Sequence, residues 1–190
     1  MESRVPERMT APQGGHERVV LGIDPGLATV GFGIIAASHQ VVVARQWGAI
    51  CTPPQKPIGD RLLEIHTDLS QIITEHRPDL VAIEQIFFCK NAKTLVPVAQ
   101  ARGVILMTLA QFNLPVVEFT PLQVKQTVTG HGGSNKKDVQ HYMSQWLKLT
   151  RIPKPDDAAD ALALALCGYR QQVSLQLANT HQSSDKHTPP

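Results

Sequence analysis

Two short, wholly apolar runs each end on a carboxylate. Val19-Val20-Leu21-Gly22-Ile23 closes with Asp24, and Leu80-Val81-Ala82-Ile83 closes with Glu84. Runs of this length and composition read as buried strands, so each delivers one carboxylate to the edge of a sheet. A third segment, Asp156-Asp157-Ala158-Ala159-Asp160-Ala161-Leu162, has Asp157 and Asp160 at i and i+3, which share one face of a helix. Carboxylates that converge repel one another unless a positive charge lies between them. The usual solution is a divalent ion such as Mg²⁺, a hard cation that prefers oxygen ligands.

The spacing of the remaining segments sets the order in which such strands meet. Val19–Asp24 leads through Pro25-Gly26 into Val30–Ala37 and then Gln40–Ile50. Arg61–His76 carries apolar residues at helical spacing, and Pro78-Asp79 restarts a strand at Leu80. A long helix is expected from about Lys93 to Gln111, with Pro97 either kinking it or marking its start. A strand over Pro115–Phe119 and a short helix over Pro121–Val128 precede the loop Gly130-His131-Gly132-Gly133. Ser134 or Asn135 caps a helix whose apolar face is Val139, Tyr142, Met143, Trp146 and Leu147, and a last helix covers Asp157–Tyr169.

Three leading strands suggest an antiparallel meander, and later strands separated by helices suggest parallel additions. The expected fold is α/β and ribonuclease-H-like, a five-stranded mixed sheet flanked by helices, its first three strands antiparallel. In that layout the first and fourth strands are neighbours, which brings Asp24 to Glu84. Residues 1–17 and 171–190 lack periodicity and are expected as flexible tails around one folded domain, residues 18–170.

Bulk properties exclude several classes. Among 190 residues, 42 % are hydrophobic and 18 % charged, ordinary for a globular domain. No apolar run is long enough for a membrane span, and the polar N-terminal residues contain no signal core, so a cytoplasmic location is expected. Cys51, Cys89 and Cys167 lack zinc or redox-motif spacing. The net charge is only +2, but between Gln85 and Pro155 nine Lys and Arg face two acids. A basic middle flanked by acids suits an enzyme that grips a polyanion, although charge alone equally describes solvated surface.

Each candidate has a plainer role. Asp24 could simply close a strand before a Pro-Gly turn, although Gly26 and Gly31 are expected to leave room beside it for phosphate or metal. Glu84 closes an apolar strand and needs compensation, from a metal or from a salt bridge such as one to Arg102. Asp157 could cap a helix and do nothing more, and Asp156 could replace it as the nearer acid. Asp160, among small apolar neighbours on a helix that packs close to the sheet, needs a specific partner.

Taken together, four acids from three segments match a two-metal phosphodiesterase site. Water would attack in line at phosphorus, leaving 5′-phosphate and 3′-hydroxyl ends. Lys125 and Lys136 are candidates for phosphate contact or transition-state charge, against the commoner fate of exposed lysine. Phe87 and Phe88 belong to the core or to a strand-to-helix loop, where an exposed ring would stack on an unpaired base. His131 is a candidate for proton transfer or a solvated loop residue, and His141 is surface or packing.

The motifs resemble the RuvC family of Holliday-junction resolvases over nearly all of residues 19–169. They are Gly22-Ile23-Asp24-Pro25-Gly26, Ala82-Ile83-Glu84-Gln85, Lys90-Asn91-Ala92, Gln100-Ala101-Arg102-Gly103, Gln123-Val124-Lys125-Gln126-Thr127-Val128 and Asp157-Ala158-Ala159-Asp160-Ala161-Leu162-Ala163. The resemblance implies a homodimer that makes paired symmetric nicks in four-way junction DNA during recombination and repair. It implies Mg²⁺, two per site, with Mn²⁺ as a substitute, and the RuvA–RuvB branch-migration complex as partner. It also implies Asp24, Glu84, Asp157 and Asp160 as catalytic metal ligands, joined in catalysis by Lys125. The implied DNA contacts are Phe87, Lys90, Asn91, Arg102, Lys125 and Lys136. Two other classes use similar residues: a ribonuclease-H-like nuclease processing ribosomal RNA, and a non-enzymatic nucleotide-binding module with Asp-Pro-Gly around phosphate. The motifs Phe87–Asn91 and Lys125 favour the junction nuclease, and the chain lacks both a second half to enclose a nucleotide and a Walker-type loop.

Overall fold

The computed structural model describes residues 17–38, 41–85 and 92–184. Phe87, Phe88, Cys89, Lys90 and Asn91 lie outside the described residues, as do residues 1–16 and 185–190.

Apolar runs and the Pro-Gly turn shape the first three strands, β1 (Arg18–Asp24), β2 (Thr29–Ser38) and β3 (Val41–Cys51). They form the expected antiparallel meander, with Asp24 opposite Gly31. Helix α1 (Ile58–His76) buries Ile65, Leu69, Ile72 and Ile73, and Arg77 ends it in the left-handed conformation. Strand β4 (Leu80–Glu84) then enters beside β1 in parallel, pairing Ile23 with Ile83. Asp79 fixes that register: its carboxylate accepts from the Val19 amide at 2.8 Å, and its own amide donates to the Val19 carbonyl at 2.8 Å. The register therefore brings Asp24 and Glu84 to the same rim, as expected.

Helix α2 (Ala92–Gln111) contains Pro97 within its first turns. It buries Ala101, Ile105 and Leu109, and Thr108 joins it to α1 by a 2.9 Å hydrogen bond with His66. Strand β5 (Val116–Phe119) pairs parallel to β4 and completes the order β3-β2-β1-β4-β5. Helices α3 (Pro121–Thr129), α4 (Lys136–Trp146) and α5 (Asp156–Ser184) follow. One apolar core, including Leu21, Ile23 and Ile83, lies against α1 and α2; the other, including Val20, Ile35 and Ala82, lies against α3, α4 and α5.

Two helical expectations are corrected. The last helix continues past Tyr169 to Ser184, so residues 171–184 are helical rather than tail. The α4 face is also narrower than its apolar pattern implied. Val139, Met143 and Leu147 are buried, whereas Tyr142 and Trp146 are about half exposed. The Arg170 guanidinium covers Trp146 at 4.8 Å from the ring centroid, giving that indole a cation–π partner in place of a core.

The central sheet and α5 approach at backbone distance. A Cβ on Gly22 would lie 1.8 Å from the Ala161 carbonyl oxygen, and one on Gly31 would lie 2.1 Å from that of Asp157. Ala158, Ala159, Ala161, Ala163 and Ala165 are almost fully buried. Small residues on both partners thus set the first turn of α5 directly over the ends of β1 and β2.

Candidate active site

The carboxylates reach one rim because three local structures end there. Asp24 and Glu84 terminate adjacent parallel strands. Asp157 and Asp160 occupy successive turns of α5, and the Asp157 backbone rests over Gly31, the β2 residue paired with Asp24. The space at Gly31 therefore belongs to α5, correcting the expectation that it admits phosphate or metal. At Gly26, an added Cβ would lie 2.3 Å from the Thr29 carbonyl oxygen, so that glycine serves the turn itself.

Electrostatics record the convergence. Burial, then Glu84, Asp160 and Asp157, push the Asp24 carboxyl from 3.8 up to about 7. Glu84 is raised by burial and by Asp160. Asp160 is raised by burial, with Asp156 and Asp157 adding to the rise, although Lys136 pulls in the opposite direction. Burial and like charge together outweigh the one lysine, leaving a site short of positive charge. Asp156 behaves differently. It is exposed, and Lys154 bonds it at 2.7 Å and holds its carboxyl below the usual range. Asp157, not Asp156, is among the acids acting on Asp24.

The opposing lysine is delivered by a tightly specified loop. Thr120 and Gln123 form a capping box at the start of α3, and Asn135 and Asp138 form another at the start of α4. Between them, Gly130 takes a left-handed conformation with φ 79°, and the Thr129 and Ser134 hydroxyls meet at 2.7 Å. His131 accepts the Gly133 amide through Nδ1 at 3.0 Å, so its ring organises this loop. Lys136, first in α4, places Nζ 2.7 Å from Asp160 Oδ2 and 3.8 Å from Asp156 Oδ2.

The remaining candidates lie on α2, α3 and α4. Arg102 pairs with Glu118 at 2.7 Å, so it is not the partner that compensates Glu84. Lys125 is partly buried on α3 and makes no ion pair among the described residues. His141 is exposed and bonds Gln145 at 3.1 Å. The sequence pointed to Lys136 as a phosphate contact but carried no sign of its bond to Asp160, because that pairing depends on how α4 docks beside α5.

The donor set suits an oxygen-seeking divalent cation: all four candidates are carboxylates, and mutual repulsion makes cation capture favourable. Among the described residues no group of three acid, histidine or cysteine side chains is drawn together tightly enough to hold an ion. The acids instead stand apart as repelling neighbours, and an ammonium holds one of them.

Comparison with known proteins agrees with this geometry. Residues 20–168 match the family model described as crossover junction endodeoxyribonuclease RuvC. A protein of that name from Syntrophomonas wolfei is 51 % identical over 164 residues, covering 85 % of this chain and 95 % of its own. The one from Thermomicrobium roseum is 43 % identical, covering 83 % and 96 %. Among solved structures, Thermus thermophilus RuvC in complex with a Holliday junction substrate superposes with TM-score 0.76 at 34 % identity, covering 79 % of this chain and 92 % of that one. The yeast mitochondrial resolvase Ydc2 shares the fold at TM-score 0.64 and 14 % identity.

Proposed function

Because the chain belongs to the RuvC family of crossover junction endodeoxyribonucleases, we propose that its acidic rim is where the strands of a four-way DNA junction are cut. The protein is a metal-dependent Holliday-junction resolvase acting in recombination and repair. The observation that most directly supports the location is the convergence on Asp24, whose carboxyl is raised first by burial and then by the neighbouring charges of Glu84, Asp160 and Asp157.

Asp24, Glu84, Asp157 and Asp160 are the proposed ligands, for Mg²⁺ at two positions, with Mn²⁺ as a substitute. When bound, such ions activate the attacking water and neutralise charge at the leaving 3′-oxygen. The chain's own residues position the phosphodiester for in-line attack. Asp24 and Glu84 sit on rigid strand ends, while Asp157 and Asp160 are carried by the buried start of α5. Lys125 and Lys136 supply positive charge at the phosphate. Phe87, Lys90, Asn91 and Arg102 complete the proposed DNA contacts. The nuclease unit expected over residues 18–170 is proposed to extend through α5 to Ser184, since that helix continues unbroken past residue 170. The substrate of the family sets aside ribosomal RNA processing and simple nucleotide binding.

Two equivalent strands must be cut, which a two-fold dimer does with identical centres. An exposed stripe on α2 supports such a homodimer. Val96, Ala99, Gln100, Gly103, Met107 and Ala110 follow helical spacing, carry no charge and are exposed. The proposed partner is the RuvA–RuvB branch-migration complex, and the proposed location is the cytoplasm. No helix among the described residues is long and apolar enough to cross a membrane.

The test incubates purified protein with a synthetic mobile four-way junction, with and without Mg²⁺. Paired symmetric nicks that require the metal are expected. Asp24→Asn should bind the junction yet lose nicking by roughly 100-fold or more, since it removes a ligand and little grip. Normal nicking by that variant would remove Asp24 from the site.

A further inference from the structure

Lys136 has two incompatible attractions. The basic middle of the chain marks it as a phosphate contact, yet its ammonium is 2.7 Å from Asp160 Oδ2 and 3.8 Å from Asp156 Oδ2. Its charge also reaches Asp24 and Glu84. Among the described residues it is the cation that faces all of these acids. The neighbouring cation, Lys154, is engaged by Asp156 on the outer side of α5.

The position is built rather than accidental. Lys136 immediately follows the Asn135 cap, and α4 is held by the Asn135–Asp138 capping box and by buried Val139 and Met143. The helix start therefore cannot drift, while the four-carbon lysine stem remains free to change rotamer. The side chain is about half exposed, so its head reaches solvent as readily as it reaches Asp160.

We propose that Lys136 is an internal counter-ion of the metal-free site: it holds Asp160 until a divalent cation takes that carboxylate, and is then released toward the DNA phosphate. An ammonium donating to Oδ2 and a cation coordinating the same oxygen compete for it. Metal entry and phosphate capture are consequently linked through one side chain. In the resting protein the lysine relieves repulsion among the acids, and in the loaded site the cation does so. Lys136 is thus a positioning residue whose availability to DNA depends on the site's charge. This inference rests on the proposed metal-binding role of Asp160.

The test measures Mn²⁺ binding by isothermal titration calorimetry to metal-free, DNA-free protein, comparing wild type with Lys136→Met and Lys137→Met. Methionine keeps an unbranched stem and removes the charge. Lys137 is exposed and one residue away, so its variant removes the same net charge without touching Asp160. Lys136→Met is expected to bind Mn²⁺ roughly three- to tenfold more tightly, and Lys137→Met to stay within about twofold of wild type, the scale of an ion pair against general screening. Equal or weaker binding by Lys136→Met than by Lys137→Met would overturn the counter-ion role while leaving the metal site intact. Absence of Mn²⁺ binding in all three proteins would overturn the metal reading and this inference with it.

Discussion

At the scale of single residues, the dominant cost is the burial of like charge. Asp24 shows it most clearly, with its carboxyl at about 7 instead of 3.8. A carboxyl raised on folding favours the folded state below its unfolded value and loses that contribution as pH climbs through the folded one. In the metal-free protein the stability linked to Asp24 is therefore present below about pH 4 and lost by about pH 7. Asp24→Asn should be more stable than wild type near about pH 8 in chelator, by about 2–4 kcal/mol at most, and the difference should vanish toward about pH 4. Urea midpoints at the two pH values check this; a difference that does not change with pH would place Asp24 away from the other acids. The same substitution that stabilises the empty site is expected to abolish nicking, the mark of a position kept for chemistry and not for folding.

At the scale of elements, the site depends on how closely α5 approaches the sheet. Asp24 and Glu84 are placed by strand register, which Asp79 and the parallel β1–β4 pairing enforce. Asp157 and Asp160 are placed only because Gly22 and Gly31 admit the helix backbone. Gly31→Ala would put a methyl 2.1 Å from the Asp157 carbonyl oxygen, which belongs to backbone and cannot rotate away. It should cost about 1–3 kcal/mol or more in urea unfolding, because overpacking moves a whole helix. A shift of about 1 Å at Asp157 should also slow single-turnover nicking by about 100-fold. Wild-type nicking by a stable Gly31→Ala protein would show that the first turn of α5 tolerates displacement. The periodicity of the sequence located this helix and its acids, but Gly31 was expected to leave room for a ligand. Residue type reveals that space exists; which neighbour fills it depends on a segment more than a hundred residues away.

At the scale of the whole molecule, one subunit presents one acidic rim, and the uncharged stripe along α2 is the surface proposed for pairing of two. Met107 lies in that stripe and is 48 % exposed. Met107→Glu should therefore leave the fold intact but shift sedimentation from dimer to monomer, since a charge at the centre of an apolar contact costs several kcal/mol. On a supercoiled plasmid bearing a cruciform, this variant should yield nicked circles in place of the linear product of paired cuts. An unchanged sedimentation coefficient would place the dimer contact elsewhere.

The amino-acid order alone determined the strand sequence and the mixed sheet, and it singled out the four acids as candidates, because burial imposes local patterns: apolar runs for strands and spaced apolar faces for helices, against which a carboxylate closing β1 or β4 stands out. Tyr142 and Trp146 show the limit of such patterns, since an apolar side chain on a helix is buried only if another element arrives to cover it. Tertiary structure decided that Arg102 answers Glu118, that α5 fills the space at Gly31, and that Lys136 lies against Asp160. These are pairings between distant segments. Their partners are set by how helices dock on a sheet, a geometry that no short stretch of sequence contains.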